Sequence, residues 1–192
     1  MNQQDPRARR TRQLLFETLV QLIVERQEYD PISVKDLADR AEISRSTFYM
    51  HFRDKDELLY EVLSETYLEL IRKNHTDATH VVLDNCIWDD FLHVASHADF
   101  YRVMLGEKGS AAVLHRIWQL LAKLIMDLSD DTQSLSPQVR DMLGYTLAGA
   151  QIGITKWWLE NDMVFTPKQM AQHLYQLSTS SLLTFLPNLT TE

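Results

Sequence analysis

The residues best equipped for chemistry lie together in Ser44-Arg45-Ser46-Thr47-Phe48-Tyr49-Met50-His51-Phe52. At helical spacing Phe48 and Phe52 fall on one face, while Arg45, Ser46, Thr47, Tyr49 and His51 fall mostly on another. That second face consists of short hydrogen-bonding groups and a guanidinium, with no carboxylate. It suits a surface pressed against a polyanion. Arg45, Ser46 and Thr47 stand at the start of the segment, where side chains can reach base edges. A guanidinium there can pair with O6 and N7 of a guanine.

A second group, Asp89, Asp90, His93 and His97, also recurs at helical spacing, and histidines at i and i+4 can share a metal. No third ligand is assignable, so the group reads as a polar helix face and no metal is expected. No catalytic set appears. There is no Gly-x-Ser-x-Gly, no phosphate loop, no Gly-x-Gly-x-x-Gly and no Cys/His nucleophile pair with an orienting partner. A helical hydrolase built on His93 and Asp90 would leave the polar segment and the arginines near the N-terminus unexplained. The expectation is a binding protein, not an enzyme, with no cofactor.

The polar segment has to be held by its neighbours, because a helix of about two turns is not stable alone. Just before it, Ser33 can cap a short helix with Asp36 answering as a capping box, and Val34, Leu37, Ala38 and Ala41 share its apolar face. Ser44 can cap the polar segment itself. Asp54-Lys55-Asp56-Glu57 then restarts the chain as a longer helix by the same Asp-x-x-Glu logic. Two short helices joined by a tight turn make a helix-turn-helix whose second member is a recognition helix. Upstream, Asp5-Pro6 reads as a cap and first helical position. The helix that follows carries Arg7, Arg9, Arg10 and Arg12, and then Leu15, Leu19, Leu22 and Ile23 on one stripe. Next to a helix-turn-helix, Arg9, Arg10 and Arg12 are expected to reach along a groove or backbone.

These residues resemble the DNA-binding domain of the TetR family of bacterial regulators. The matching positions are Val34, Leu37, Ala38, Ala41, Ile43, Ser44, Thr47, Phe48, Tyr49, His51, Phe52, Asp54, Lys55, Glu57, Leu58 and Leu59, within residues 7 to about 60. The resemblance implies phosphate contacts by Tyr49 and Lys55, which position without specifying, with Ser33, Lys35 and His51 at the same interface. Glu42 departs from the pattern, which often has a turn glycine there; if that turn needs positive φ, Glu42 carries a cost. The resemblance also implies a palindromic double-stranded DNA target, a homodimer, and a repressor released by a small effector. The helices that surround an effector cavity in such proteins here carry Trp88, Phe91, Phe100, Tyr101, Met104 and Trp118. The C-terminal half, with Phe100-Tyr101-Arg102-Val103-Met104-Leu105 and Trp157-Trp158-Leu159-Glu160-Asn161, is similar to the subgroup that includes the activator of dihydroxyacetone kinase operons. That likeness implies the alternative of control by a partner protein.

The net charge of −8 makes sense once it is divided. Residues 1–53 carry nine basic and eight acidic side chains, and residues 54–192 carry ten and nineteen. Basic charge gathers at one end, and the acidic remainder repels nucleic acid elsewhere. A single Cys86 excludes an internal disulfide and a cysteine metal cluster, which fits a reducing cytoplasm. No run of eighteen apolar residues exists, and the charged N-terminus lacks the apolar core of a signal peptide, so no membrane partner is expected.

The remaining pattern is helical throughout. Helices are expected over about 54–74, 82–96, 99–105, 110–128, 136–160 and 166–185, making nine in all and no strand. The architecture expected is all-α, with a helix-turn-helix DNA-binding domain over residues 1–55 and an effector-binding and dimerisation domain over 56–192. The helix from Ser136 is apolar or small nearly all round, so it must be buried on more than one side. Its glycines cost helix propensity, which close approach of another helix would offset. Gly144, Ala148, Gly149, Ile152 and Gly153, with Leu174 and Leu177 on the last helix, are therefore expected at a two-fold, four-helix interface.

Overall fold

The computed structural model describes residues 6–74, 81–127 and 135–189, without the side chains of 73–74, 81–86 and 179–189. The expected cap Asp5 and the side chains of Cys86, Leu182, Leu183 and Phe185 lie outside the described residues. Nine α-helices and no strand are present among the described residues: α1 (Pro6–Arg26), α2 (Val34–Arg40), α3 (Arg45–Tyr49), α4 (Lys55–Asn74), α5 (Val81–Ser96), α6 (Ala98–Met104), α7 (Ala111–Asp127), α8 (Pro137–Glu160) and α9 (Pro167–Leu189). None is long and apolar enough to cross a membrane. Contacts divide the chain into two compact units, Met1–Thr66 with Asp99–Arg116, and Tyr67–Ala98 with Ile117–Glu192. The helix α4 leaves the first unit after Thr66, and α7 leaves it after Arg116.

In the first unit, the stripe Leu15, Leu19, Leu22 and Ile23 of α1 is buried together with Leu37 and Ala38 of α2, Phe48 of α3, and Tyr29, Ile32, Phe52, Leu58 and Leu59. The start signals behave as their chemistry dictates. The Ser33 hydroxyl accepts from the Asp36 amide while the Asp36 carboxylate takes the Ser33 amide at 2.8 Å. Ser44 accepts from the Thr47 amide, and Asp54 from the Glu57 amide.

The α2–α3 turn shows why the departure at Glu42 matters. The Ile43 amide donates to the Ala38 carbonyl at 3.0 Å and the Glu42 amide to the Asp39 carbonyl at 3.4 Å. Those two bonds define a Schellman ending, whose residue after the cap must enter the left-handed region. Glu42 does so, at φ 54°.

In the second unit, α5 packs mainly on α9, and α8 packs on α9 as well. Phe91 of α5 meets Trp158 of α8 edge to face, with ring centroids 5.4 Å apart. Two of the three glycines of α8 meet another helix of the same chain. A Cβ at Gly144 would lie 2.6 Å from the Ala122 carbonyl oxygen, and one at Gly149 would lie 2.6 Å from the Trp118 ring. Close approach of a helix does offset them, and that helix is α7 of the same chain.

Because only glycine enters the left-handed region without steric cost, Glu42→Gly should stabilise the protein by about 0.5–1 kcal/mol, net of the extra freedom glycine gains when unfolded. For a chain of this size that means a rise of roughly 1–4 °C in the unfolding midpoint, read by circular dichroism. A fall would show that the Glu42 side chain contributes more than its backbone costs.

Candidate nucleic-acid interface

The helix α3 presents its polar face as the sequence suggests. Arg45, Ser46 and Tyr49 are exposed, Tyr49 by 59%. Thr47 is half-buried, and its hydroxyl lies 2.9 Å from that of Ser44. The Tyr49 ring rests edge-on against Phe48, so the core residue beneath orients the phenol outside. His51 is half-buried with its ring near Phe52, and burial followed by the Arg12 charge pushes its pKa below the ordinary histidine value. A neutral imidazole there can still donate one hydrogen bond.

The basic residues separate into two sets. Arg9, Arg10, Lys35 and Arg45 are exposed and form no ion pair among the described residues. Others are already neutralised: Arg26 with Asp36 at 3.0 Å, Arg40 with Glu25, and Arg53 with Asp54 at 3.0 Å. Arg12 belongs with this second set. Its guanidinium reaches Glu61 at 2.8 Å and Glu65 at 3.0 Å, lies 4.7 Å over the Phe52 ring, and is only 13% exposed. It ties α1 to α4 across the end of the recognition segment. Its partners lie one helical turn apart on α4, where like charges at i and i+4 repel weakly and a cation between them removes that repulsion.

Lys55 is also held. Its ammonium donates to the Tyr29 carbonyl at 2.9 Å and the Asp30 carbonyl at 2.7 Å, and sits 4.2 Å over the Tyr29 ring. Burial lowers its pKa. The residue it grips, Tyr29, was not singled out by the sequence pattern. Tyr29 is buried, its phenol donates to Asp56, and its amide donates to the Lys108 carbonyl at 2.9 Å. Burial and the Asp56 hydrogen bond both raise its pKa, so the phenol stays a donor. The hydroxyl of Ser33 is likewise occupied by Asp36, at 2.6 Å.

The six residues expected at an effector cavity are split between the units. Phe100, Tyr101 and Met104 are buried in the first. In the second, Phe91 is buried, Trp88 is exposed, and Trp118 covers Gly149 while donating from its indole to the Tyr145 carbonyl at 3.0 Å. A groove of about 590 Å³ in the second unit is lined by other residues, among them Ala122, Lys123, Met126, Arg140 and Tyr145. Of the residues expected at a dimer interface, Gly144, Ala148 and Leu174 are buried within the chain, Gly149 lies under Trp118, and Ile152 is half-buried. Gly153 and Leu177 are exposed. Among the described residues, no cluster of three or more His, Cys, Asp or Glu is placed to hold a metal. The His93 and His97 rings stack 4.5 Å apart, and burial, then His97, pushes the His93 pKa down to about 4.

One acid in the second unit is unusual. Asp90 is buried, one carboxyl oxygen accepts from Gln151 at 2.8 Å, and the other has no hydrogen-bond partner among the described residues. Burial pushes its pKa up to about 6 against the hydrogen bond, which acts the other way.

Residues 20–62 match the family described as bacterial regulatory proteins, tetR family, and residues 83–180 match the family described as transcriptional regulator C-terminal region. The HTH-type transcriptional regulator YxbF of Bacillus subtilis strain 168 is 23% identical over 167 residues, 84% of this chain. This chain spans 43% of that relative's length. A TetR transcriptional regulator from Streptococcus agalactiae 2603V has a similar fold, with a TM-score of 0.63, 21% identity, and coverage of 91% of this chain and 96% of that one. The dihydroxyacetone kinase operon activator DhaS is similar at a TM-score of 0.60 and 20% identity, covering 91% and 97%.

The two sets of arginines predict different outcomes. Arg12→Ala leaves Glu61 and Glu65 facing each other and should cost about 1–2 kcal/mol of stability without DNA, between an exposed pair and a buried charged hydrogen bond. Arg9→Ala should leave urea unfolding unchanged. Equal midpoints for the two variants would remove the structural role of Arg12.

Asp90 supplies a pH dependence. Its raised folded pKa means that the native state holds a proton which the unfolded state has lost between about pH 4 and 6, so its carboxyl disfavours folding above that window. Asp90→Asn should therefore raise the unfolding midpoint most above pH 6, by up to roughly 3 kcal/mol of stability, and the gain should vanish near pH 4. Thermal melts of both proteins across pH 4–7.5 measure it. A gain independent of pH would show that the carboxyl is ionised in its site.

Proposed function

The chain belongs to the TetR family of bacterial transcriptional regulators, and from that premise we propose that it is a cytoplasmic repressor that binds a palindromic operator as a homodimer and is released by a small effector. The observation that carries the DNA interface is the selective pairing of charge. Arg26, Arg40, Arg53 and Arg12 are neutralised by carboxylates of the first unit, while Arg9 and Arg10 on α1, Lys35 on α2 and Arg45 on the carboxylate-free face of α3 stand exposed without an ion pair among the described residues. Exposed cations neutralise phosphates and so release the counterions condensed on DNA, whereas an arginine already paired with a carboxylate brings no net charge to do so. In this reading residues 1–55 form the DNA-binding domain and 56–192 the effector and dimerisation domain. Arg45 reads a base edge, with Ser46 and Thr47 beside it, and Lys35, Tyr49, Arg9 and Arg10 contact backbone or groove. Lys55 and Ser33 act by fixing the loops on either side, because their polar groups are already engaged.

Dimerisation and effector release are drawn from what is typical of the family. The exposed Gly153 and Leu177, with Met142 and Trp157 exposed on α8 as well, support a partner surface along α8 and α9. A two-fold dimer would set two recognition helices about one DNA turn apart, roughly 34–36 Å. One observation favours control by a partner protein instead. Phe91 is buried and packed edge to face on Trp158 in the second unit, and Phe100, Tyr101 and Met104 are buried in the first, so each of these side chains is already engaged within its own unit.

The test uses DNA that the full-length protein enriches from a random-sequence pool. Tyr49→Phe removes a backbone contact, so its modest loss should be equal on enriched and random DNA. Arg45→Ala should cost about 1–3 kcal/mol on the enriched site and little on random DNA. Equal losses for Arg45→Ala on both would remove its base-reading role, and failure to enrich any sequence would remove the operator.

A further inference from the structure

The recognition face holds one side chain that hydrogen-bonding chemistry does not explain. Met50 is 61% exposed, between Tyr49 and His51. The backbone is still helical there. Met50 has φ −72° and ψ −19°, its amide donates to the Ser46 carbonyl at 3.1 Å, and the Phe52 amide donates to the Phe48 carbonyl at 3.0 Å. Phe48 and Phe52, both essentially inaccessible, mark the inward direction. At about 100° per residue, Met50 lies roughly 200° on from Phe48 and roughly 200° before Phe52. It therefore points away from the core, with Ser46 one turn earlier on the same side.

We propose that Met50 is a specificity-determining residue that reads the 5-methyl group of a thymine in the operator's major groove. A thioether is a weak acceptor and no donor, so phosphates and the polar base edges give it nothing. The major groove edge offers one apolar group, the thymine methyl. Methionine suits it, being unbranched, polarisable and free to adjust three torsions to a small target. The neighbours Arg45, Ser46 and Tyr49 are polar and exposed. When they seat on DNA, Met50 loses its water with them, and only an apolar partner makes that loss favourable.

This rests on the operator-binding reading above, and the experiment separates the two. The site enriched by the full-length protein is remade with each thymine in turn replaced by deoxyuridine, symmetrically in both half-sites, which removes only the methyl. At one position the wild-type protein should lose about fourfold in affinity per half-site, the value of one buried methylene-sized group. Met50→Ala should lose a similar amount on the unmodified site and be indifferent to deoxyuridine at that position. Its unfolding midpoint should match the wild type, because the side chain is largely in water. Unaltered wild-type affinity for every deoxyuridine site, or equal losses in wild type and Met50→Ala, would overturn the methyl contact while leaving operator binding intact. Failure to enrich any sequence would overturn the operator and the methyl contact together.

Discussion

The head depends on one constraint: a recognition helix of five residues cannot hold itself together. Nucleating a helix costs more than so few backbone bonds return, so α3 exists because other elements fix both of its ends and its floor. At its start, Ser44 satisfies an amide that would otherwise be bare, directly after a Schellman turn that sets the angle from α2. Beneath it, Phe48 and Phe52 are buried among α1, α2 and α4 residues. The outward side chains are then free of structural duty, which is why that face can be polar without weakening the fold.

Charge is arranged by the same separation of duties. Arg26, Arg40 and Arg53 are matched to carboxylates nearby, and Arg12 joins α1 to α4 while leaning on Phe52. A second anchor is the knot at Tyr29. Its carbonyl accepts from Lys55 at the start of α4, its phenol donates to Asp56, and its amide donates to the Lys108 carbonyl in the α6–α7 connection. Three stretches far apart in sequence meet on one residue. The α6–α7 connection and the N-terminal end of α4 are thereby fixed to the same residue.

The glycines of α8 illustrate how one physical cost has different sources of relief. A glycine in a helix loses backbone entropy that alanine would not, and close packing is the usual compensation. At Gly144 and Gly149 that packing comes from α7, against the Ala122 backbone and the Trp118 ring. At Gly153 no such neighbour lies within 4 Å among the described residues.

The sequence by itself determined the helices, their caps and the identity of the head. Helix starts are local: a serine or aspartate, a partner three residues on and a proline at the first position act through bonds between near neighbours, so Ser33, Ser44 and Ser136 are legible without a fold. The turn at Glu42 was legible too, because positive φ is a demand of a single residue. What only the tertiary structure decided was partnership. Whether an arginine is free or paired depends on residues some fifty positions away, as Arg12 and Glu65 show. Whether a glycine meets another helix of its own chain depends on where α7 lies, and whether an aspartate keeps its proton depends on how deeply the fold buries it and on the Gln151 amide it meets. Periodicity says which side of a helix is apolar. It carries no information on what that side touches.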